Sequence, residues 1–74
     1  MSSSKDFRHF ASQLEGQEVE VVTSNGTYTG TLEYVGSDSI ILSTRIRGRR
    51  VRMLIRIALI VALFSLLTGR SFTF

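Results

Sequence analysis

Between Ile40 and Ile57 the chain reads I-I-L-S-T-R-I-R-G-R-R-V-R-M-L-I-R-I, apolar and basic positions alternating on either side of one glycine. Side chains alternate faces along a strand, so this pattern predicts a hairpin with one apolar and one basic face. Gly48-Arg49 suits a two-residue turn, the glycine supplying the positive φ of a type II′ turn. In that register Arg47 faces Arg50, Ile46 faces Val51, Arg45 faces Arg52, Thr44 faces Met53 and Leu42 faces Ile55. Ile40, Leu42, Thr44, Ile46, Val51, Met53, Ile55 and Ile57 then form a core face. Arg45, Arg47, Arg50 and Arg52 gather on the other, with Arg49 at the tip. Like charges directly opposite destabilise a strand pair unless something negative sits on them. The arginine face is therefore the main functional clue.

Upstream, Phe7, Phe10, Ala11 and Leu14 recur at i, i+3, i+4 and i+7, the stripe of a short helix within residues 1–16. Ser3 with Asp6 resembles a capping box, and Gly16 is a plausible terminator. His9 lies off the stripe and reads as a solvated helix histidine. Gln17 to Val22 alternates as a strand with Val19 and Val21 inward. Asn25-Gly26 signals a type I′ hairpin turn, which pairs Thr23 with Tyr28, Val21 with Gly30 and Val19 with Leu32. Gly30 falls on the inward face of the returning strand, Thr27 to Tyr34, where it permits a bend or a close backbone approach. A bent strand lets a small sheet curl into a barrel.

After the loop 35–39, pairing of Leu32 with Leu42 would give outward rows Thr29–Arg45–Arg52 and Thr27–Arg47–Arg50. Glu18 and Glu33 would then lie at the far end of the sheet, near Arg56, too distant to neutralise the cluster. Ala58-Leu59 can make a tight corner before Ile60 to Leu67, which is apolar on both faces and so expects cover on both. In a domain this small that cover is expected from another subunit, through Ile60, Val61, Leu63, Phe64 and Leu66. The tail 68–74 breaks at Thr68-Gly69-Arg70 and alternates again, a segment that could dock Phe72 and Phe74 on a neighbour or fray.

At 74 residues the chain predicts one domain, near the size where a single core is marginally stable alone. It has no cysteine and no proline, hence no disulfide framework and no thiolate metal site. The net charge of +3 is unevenly spread. Residues 1–38 hold Lys5 and Arg8 against six acids, whereas residues 39–74 hold seven arginines and no acid. That asymmetry implies a polyanionic partner on the basic half, or head-to-tail docking of one subunit's acidic half on another's basic half. Met1-Ser-Ser-Ser-Lys5 does not open a signal peptide, and Ile57 to Leu67 is shorter than the about 20 apolar residues of a spanning helix. The expectation is a cytoplasmic protein for which membrane association is a minor alternative.

The segment from Leu14 to Leu42 resembles the first motif of the Sm-like family, with Leu14, Val19, Val21, Gly26, Gly30 and Leu32 at matching spacings. Ile46-Arg47-Gly48 followed by Val51 looks like its second motif. The loop Gly36-Ser-Asp38-Ser-Ile40 lacks the asparagine with which RNA-binding members hold a base. The V-x-x-D-x-I-x-L spacing and the later L-I-R-I-A-L-I-V look more like short Sm-like barrels of spore-forming bacteria, some described as spore-coat related. The resemblance implies a mainly β chain, a short N-terminal helix before a strongly bent, five-stranded antiparallel SH3-like barrel over residues 17–67. It also implies self-association through strand edges and a spore-associated location as an alternative to the cytoplasm.

Catalysis needs a positioned base or nucleophile, a metal or a cofactor loop, and the sequence offers none of these, so neither an enzyme nor a cofactor is expected. A self-assembling structural module, a ring or filament of this chain, stands slightly ahead. Its motives are the two-sided apolar strand, the charge split and an open sheet edge. The alternative is an RNA- or DNA-binding barrel that uses Arg45, Arg47, Arg49, Arg50 and Arg52, weakened by the lack of an aromatic among them.

Overall fold

The computed structural model describes residues 3–74, with side chains described from Lys5 onward. The expected cap between Ser3 and Asp6 rests on a side chain outside the described residues. The elements are α1 (Ser3–Ser12), β1 (Glu18–Thr23), β2 (Gly26–Val35), β3 (Ser39–Ile46), β4 (Arg49–Arg56), a short 3-10 helix (Ile57–Leu59), β5 (Ile60–Ser65) and β6 (Ser71–Thr73). The strands form one antiparallel sheet in the order β4-β3-β2-β1-β5-β6. The protein is thus mainly β with one short helix. No helix among the described residues is long and apolar enough to cross a membrane.

The sheet has six strands and is not closed, so the expected five-stranded barrel is not confirmed. Closure would require β4 to reach β5, but the outer edge of β5 is taken by β6, with Ala62 opposite Thr73, Leu63 opposite Phe72 and Phe64 opposite Ser71. At the other end the β3–β4 hairpin overshoots the core: Ile46 is 52% exposed although it belongs to the apolar face. The result is elongated, 40 × 24 × 19 Å.

Both hairpin registers differ from expectation by two residues. The β3–β4 turn is Arg47-Gly48, at φ 55° and 79°, so Ile46 faces Arg49 and Arg45 faces Arg50. Two consecutive positive φ values are what a type I′ turn requires. In β1–β2 the loop is Ser24-Asn25, and Thr23 pairs with Gly26, Val21 with Tyr28 and Val19 with Gly30. There the Thr23 hydroxyl accepts from Asn25 N–H (3.1 Å) and donates to Gly26 C=O (2.8 Å), closing the turn from its own strand. Because side chains repeat every two residues, a slip of two leaves every face intact.

The β2–β3 register keeps Leu32 opposite Leu42, then gains a bulge at Glu33, after which Tyr34 faces Ile41 and Val35 faces Ile40. One extra residue reverses the alternation beyond it. Val35 thus turns to the core and Tyr34 to the outer face, where it is 57% exposed.

The core lies between α1 and the inward sheet face: Phe7, Ala11 and Leu14 meet Val19, Val21, Leu32, Ile40, Leu42, Ile55, Ile57, Ile60 and Leu63. Ile60 (5% exposed) and Leu63 (0%) are therefore covered by their own chain, not by a neighbour as expected. The tail is likewise used internally. Phe72 packs edge-on against Phe7 at 5.7 Å and lies 5.8 Å from Phe10, and Phe74 stacks on Phe7 at 5.2 Å. Arg70 lies over the Phe10 ring at 5.3 Å, a cation–π contact. Four aromatic rings close the helix end of the core, where the tail was expected either to dock on another subunit or to fray. Val61 and Leu66 stay exposed and Phe64 half-buried.

Candidate interaction surface

The outer face of β2, β3 and β4 carries the basic residues in rows set by register. Arg45 faces Arg50; Thr31, Ser43 and Arg52 form the next row; Tyr34, Ile41 and Leu54 the next; and Ser39 faces Arg56. Three of the five predicted arginines, Arg45, Arg50 and Arg52, therefore share this face. The other two do not sit as expected. Arg47 belongs to the turn, with a left-handed backbone that costs a non-glycine residue about 1–2 kcal/mol, and Arg49 lies across from Ile46 on the opposite face.

Glu33 corrects a second expectation. Its carboxylate reaches Arg52 Nε at 3.9 Å and Arg50 Nη1 at 4.0 Å, so the cluster has a counter-ion within its own chain. Glu33 sits at the bulge, and the two-residue slip places Arg52 in the row of Thr31 and Ser43 beside it. Both contacts are long and the two guanidinium side chains are 63% and 70% exposed, a setting in which ion pairs contribute about 0–1 kcal/mol. Among the described residues no carboxylate lies within 4.0 Å of Arg45, Arg47 or Arg49. Glu33→Gln should accordingly shift the urea midpoint by no more than about 0.5 kcal/mol in stability, while leaving Arg50 and Arg52 with no acid partner.

Beside Arg45 and Arg50 a shallow groove of about 390 Å³ is lined with hydroxyls and backbone from Thr29, Gly30, Thr31, Ser43 and Thr44, with Glu18 at its end. The Glu18 carboxylate accepts from Thr31 Oγ1 at 2.8 Å, which holds it in place. Gly30 lets β2 and β3 approach closely beneath the groove. A Cβ there would be driven into the Ser43 carbonyl oxygen and would stand 3.3 Å from Leu42 Cγ.

Sequence reasoning missed Tyr34. Alternation along β2, which turns Tyr28, Gly30 and Leu32 inward, would have carried Tyr34 inward too, and no residue pattern announces a bulge at a glutamate. The outer face thus combines cations, hydroxyls and one exposed aromatic ring. Among the described residues no three His, Asp or Glu side chains are grouped to hold a metal ion. No protein-family model matches the chain, and no curated protein matches it either.

Proposed function

We propose that the chain is a non-enzymatic nucleic-acid-binding module that takes single strands across the outer face of β2–β4. The observation that carries this is Arg45 directly opposite Arg50 beside a groove of hydroxyls. Two guanidinium groups opposed across a ladder repel each other, and a phosphate between them turns that repulsion into two charge-assisted contacts. Tyr34 supports single strands over duplex, because an exposed ring gives an unpaired base a face to stack on. With side chains of this kind, binding tolerates sequence and weakens steeply with salt. Filter binding of labelled oligo(U) and oligo(dT) at low salt tests it; no retention of either refutes it. In the same assay Glu33→Gln should bind more tightly than the parent chain, since Arg50 and Arg52 no longer share a carboxylate.

Self-assembly is the second reading, favoured by the unpaired outer edge of the eight-residue β4 and by Leu54, 65% exposed on that strand. Charge stands against pairing β4 with itself. Every antiparallel register of two β4 strands that overlaps by more than three residues and keeps outer faces together sets an arginine of one copy, Arg50, Arg52 or Arg56, against an arginine of the other. β6, at the other edge, has three residues and no acid, while Glu18 and Glu20 lie on β1, paired on both sides. Light scattering of the nucleic-acid-free protein is therefore expected to give a monomer. An assembly that Leu54→Lys disperses and Arg45→Glu with Arg50→Glu leaves intact would reverse the order of the two readings.

A further inference from the structure

A second basic site lies away from the arginine hairpin, in a groove of about 420 Å³ between α1 and the segment 34–37. Lys5, Arg8, His9 and Ser12 line one wall, at i, i+3, i+4 and i+7 along the helix, and Tyr34, Val35, Gly36 and Ser37 line the other. Among the described residues no carboxylate lines the groove. The nearby Glu15 is engaged, its Oε2 accepting from Val35 N–H at 2.9 Å.

The facing segment is held in shape. Gly36 N–H donates to Ser39 C=O at 2.8 Å, and a Cβ at Gly36 would stand 3.2 Å from both that oxygen and Tyr34 Cε2. Two side chains on the helix wall have nitrogens to spare. The Gln13 side-chain amide lies 3.3 Å from His9 Nε2, a contact that engages one ring nitrogen and leaves Nδ1 as the other. Arg8 Nε is buried and has no hydrogen-bond partner. A covered, unpaired N–H is costly, and a ligand that draws the guanidinium into the groove relieves that cost.

The geometry points to a binding site for a phosphate monoester with a flat organic group, of the 5′-mononucleotide class. A monoester carries close to two charges and three acceptor oxygens at neutral pH, matching an ammonium, a guanidinium fork and an imidazole on adjacent helix turns. The groove falls in the size range of small-molecule sites, larger than a phosphate alone needs, and the half-open Tyr34 ring walls the remainder.

Titration of the 15N-labelled protein with adenosine 5′-monophosphate, with inorganic phosphate and adenosine in parallel, tests this. Saturable shifts confined to Lys5, Arg8, His9, Gly36 and Ser37 are expected with the nucleotide. Weaker shifts at the same residues are expected with phosphate and none with adenosine. Lys5→Ala, at an exposed position that cannot unfold the chain, should weaken nucleotide binding about tenfold, the loss of one charge-assisted contact. Arg8→Ala should do the same and Arg8→Lys should recover part of it. Tyr34→Leu should weaken the nucleotide but not phosphate. The Arg45→Glu, Arg50→Glu protein should keep these shifts, so the groove stands or falls apart from the hairpin reading. No saturable response up to the solubility of the nucleotide, or a response only at Arg45–Arg52, overturns the proposal.

Discussion

Gly30→Ala is expected to destabilise the chain by about 3 kcal/mol or more, the upper end of the cost of overpacking. The added methyl would meet the Ser43 carbonyl, which is backbone on the neighbouring strand and cannot swing away as a side chain would. Ser43 is itself tied into the sheet, opposite Thr31 on one side and Arg52 on the other, so relief requires β2 and β3 to part. A domain of this length has roughly 4–11 kcal/mol in total, and losing about 3 removes a large share. Urea unfolding followed by circular dichroism should show a much lower midpoint at nearly unchanged slope. Thr31→Ala, next to Gly30 but on the outer face, should cost no more than about 1 kcal/mol, the exposed hydrogen bond to Glu18. A parental midpoint for Gly30→Ala would mean that β2 and β3 do not approach here as described.

Arg45→Glu is expected to move stability and binding in opposite directions. It converts a repulsive pair with Arg50 into an attractive one, which should raise stability by about 0.2–1 kcal/mol. It also removes a phosphate contact and adds a negative charge at the groove. Oligonucleotide affinity at low salt should therefore fall, and the Arg45→Glu, Arg50→Glu double variant should show no measurable binding. The double alanine variant isolates the electrostatic share. Each neutralised single-strand phosphate adds about 0.7 to the slope of log affinity against log salt, so losing the one held between Arg45 and Arg50 should flatten it by about 0.7. If Arg45→Glu gains stability and keeps full affinity, the opposed arginines do not serve a nucleic acid.

Much of the local structure was legible in the residues because it follows from period-two alternation. The apolar and basic faces of β3 and β4, the inward Val19 and Val21, and the helix stripe of Phe7, Ala11 and Leu14 all hold, and the faces survive even where both turns slide by two positions. The turns were harder to read. Asn25-Gly26 is a strong type I′ signal, but the Thr23 hydroxyl closes a different loop; Arg47 takes a left-handed conformation for which side-chain chemistry gives no cue. The five arginines of the candidate surface were identifiable from composition and pattern. That Arg47 leaves the shared face for the turn, that Arg49 leaves the tip for the strand opposite Ile46, and that Glu33 and Tyr34 join the face, was not.

The order of residues alone was enough for a small, mainly β chain with one amphipathic helix, a core on one sheet face and a basic hairpin on the other, because each of these is a repeat along the backbone. The remainder was settled in three dimensions: a sheet left open where β6 occupies the edge of β5, aromatic tail residues folded onto α1, a Glu33 carboxylate beside the arginines, and a bulge that carries Tyr34 to the outer face. Those features depend on which distant segments compete for the same edge or the same space, and such competition leaves no periodic trace in a linear chain.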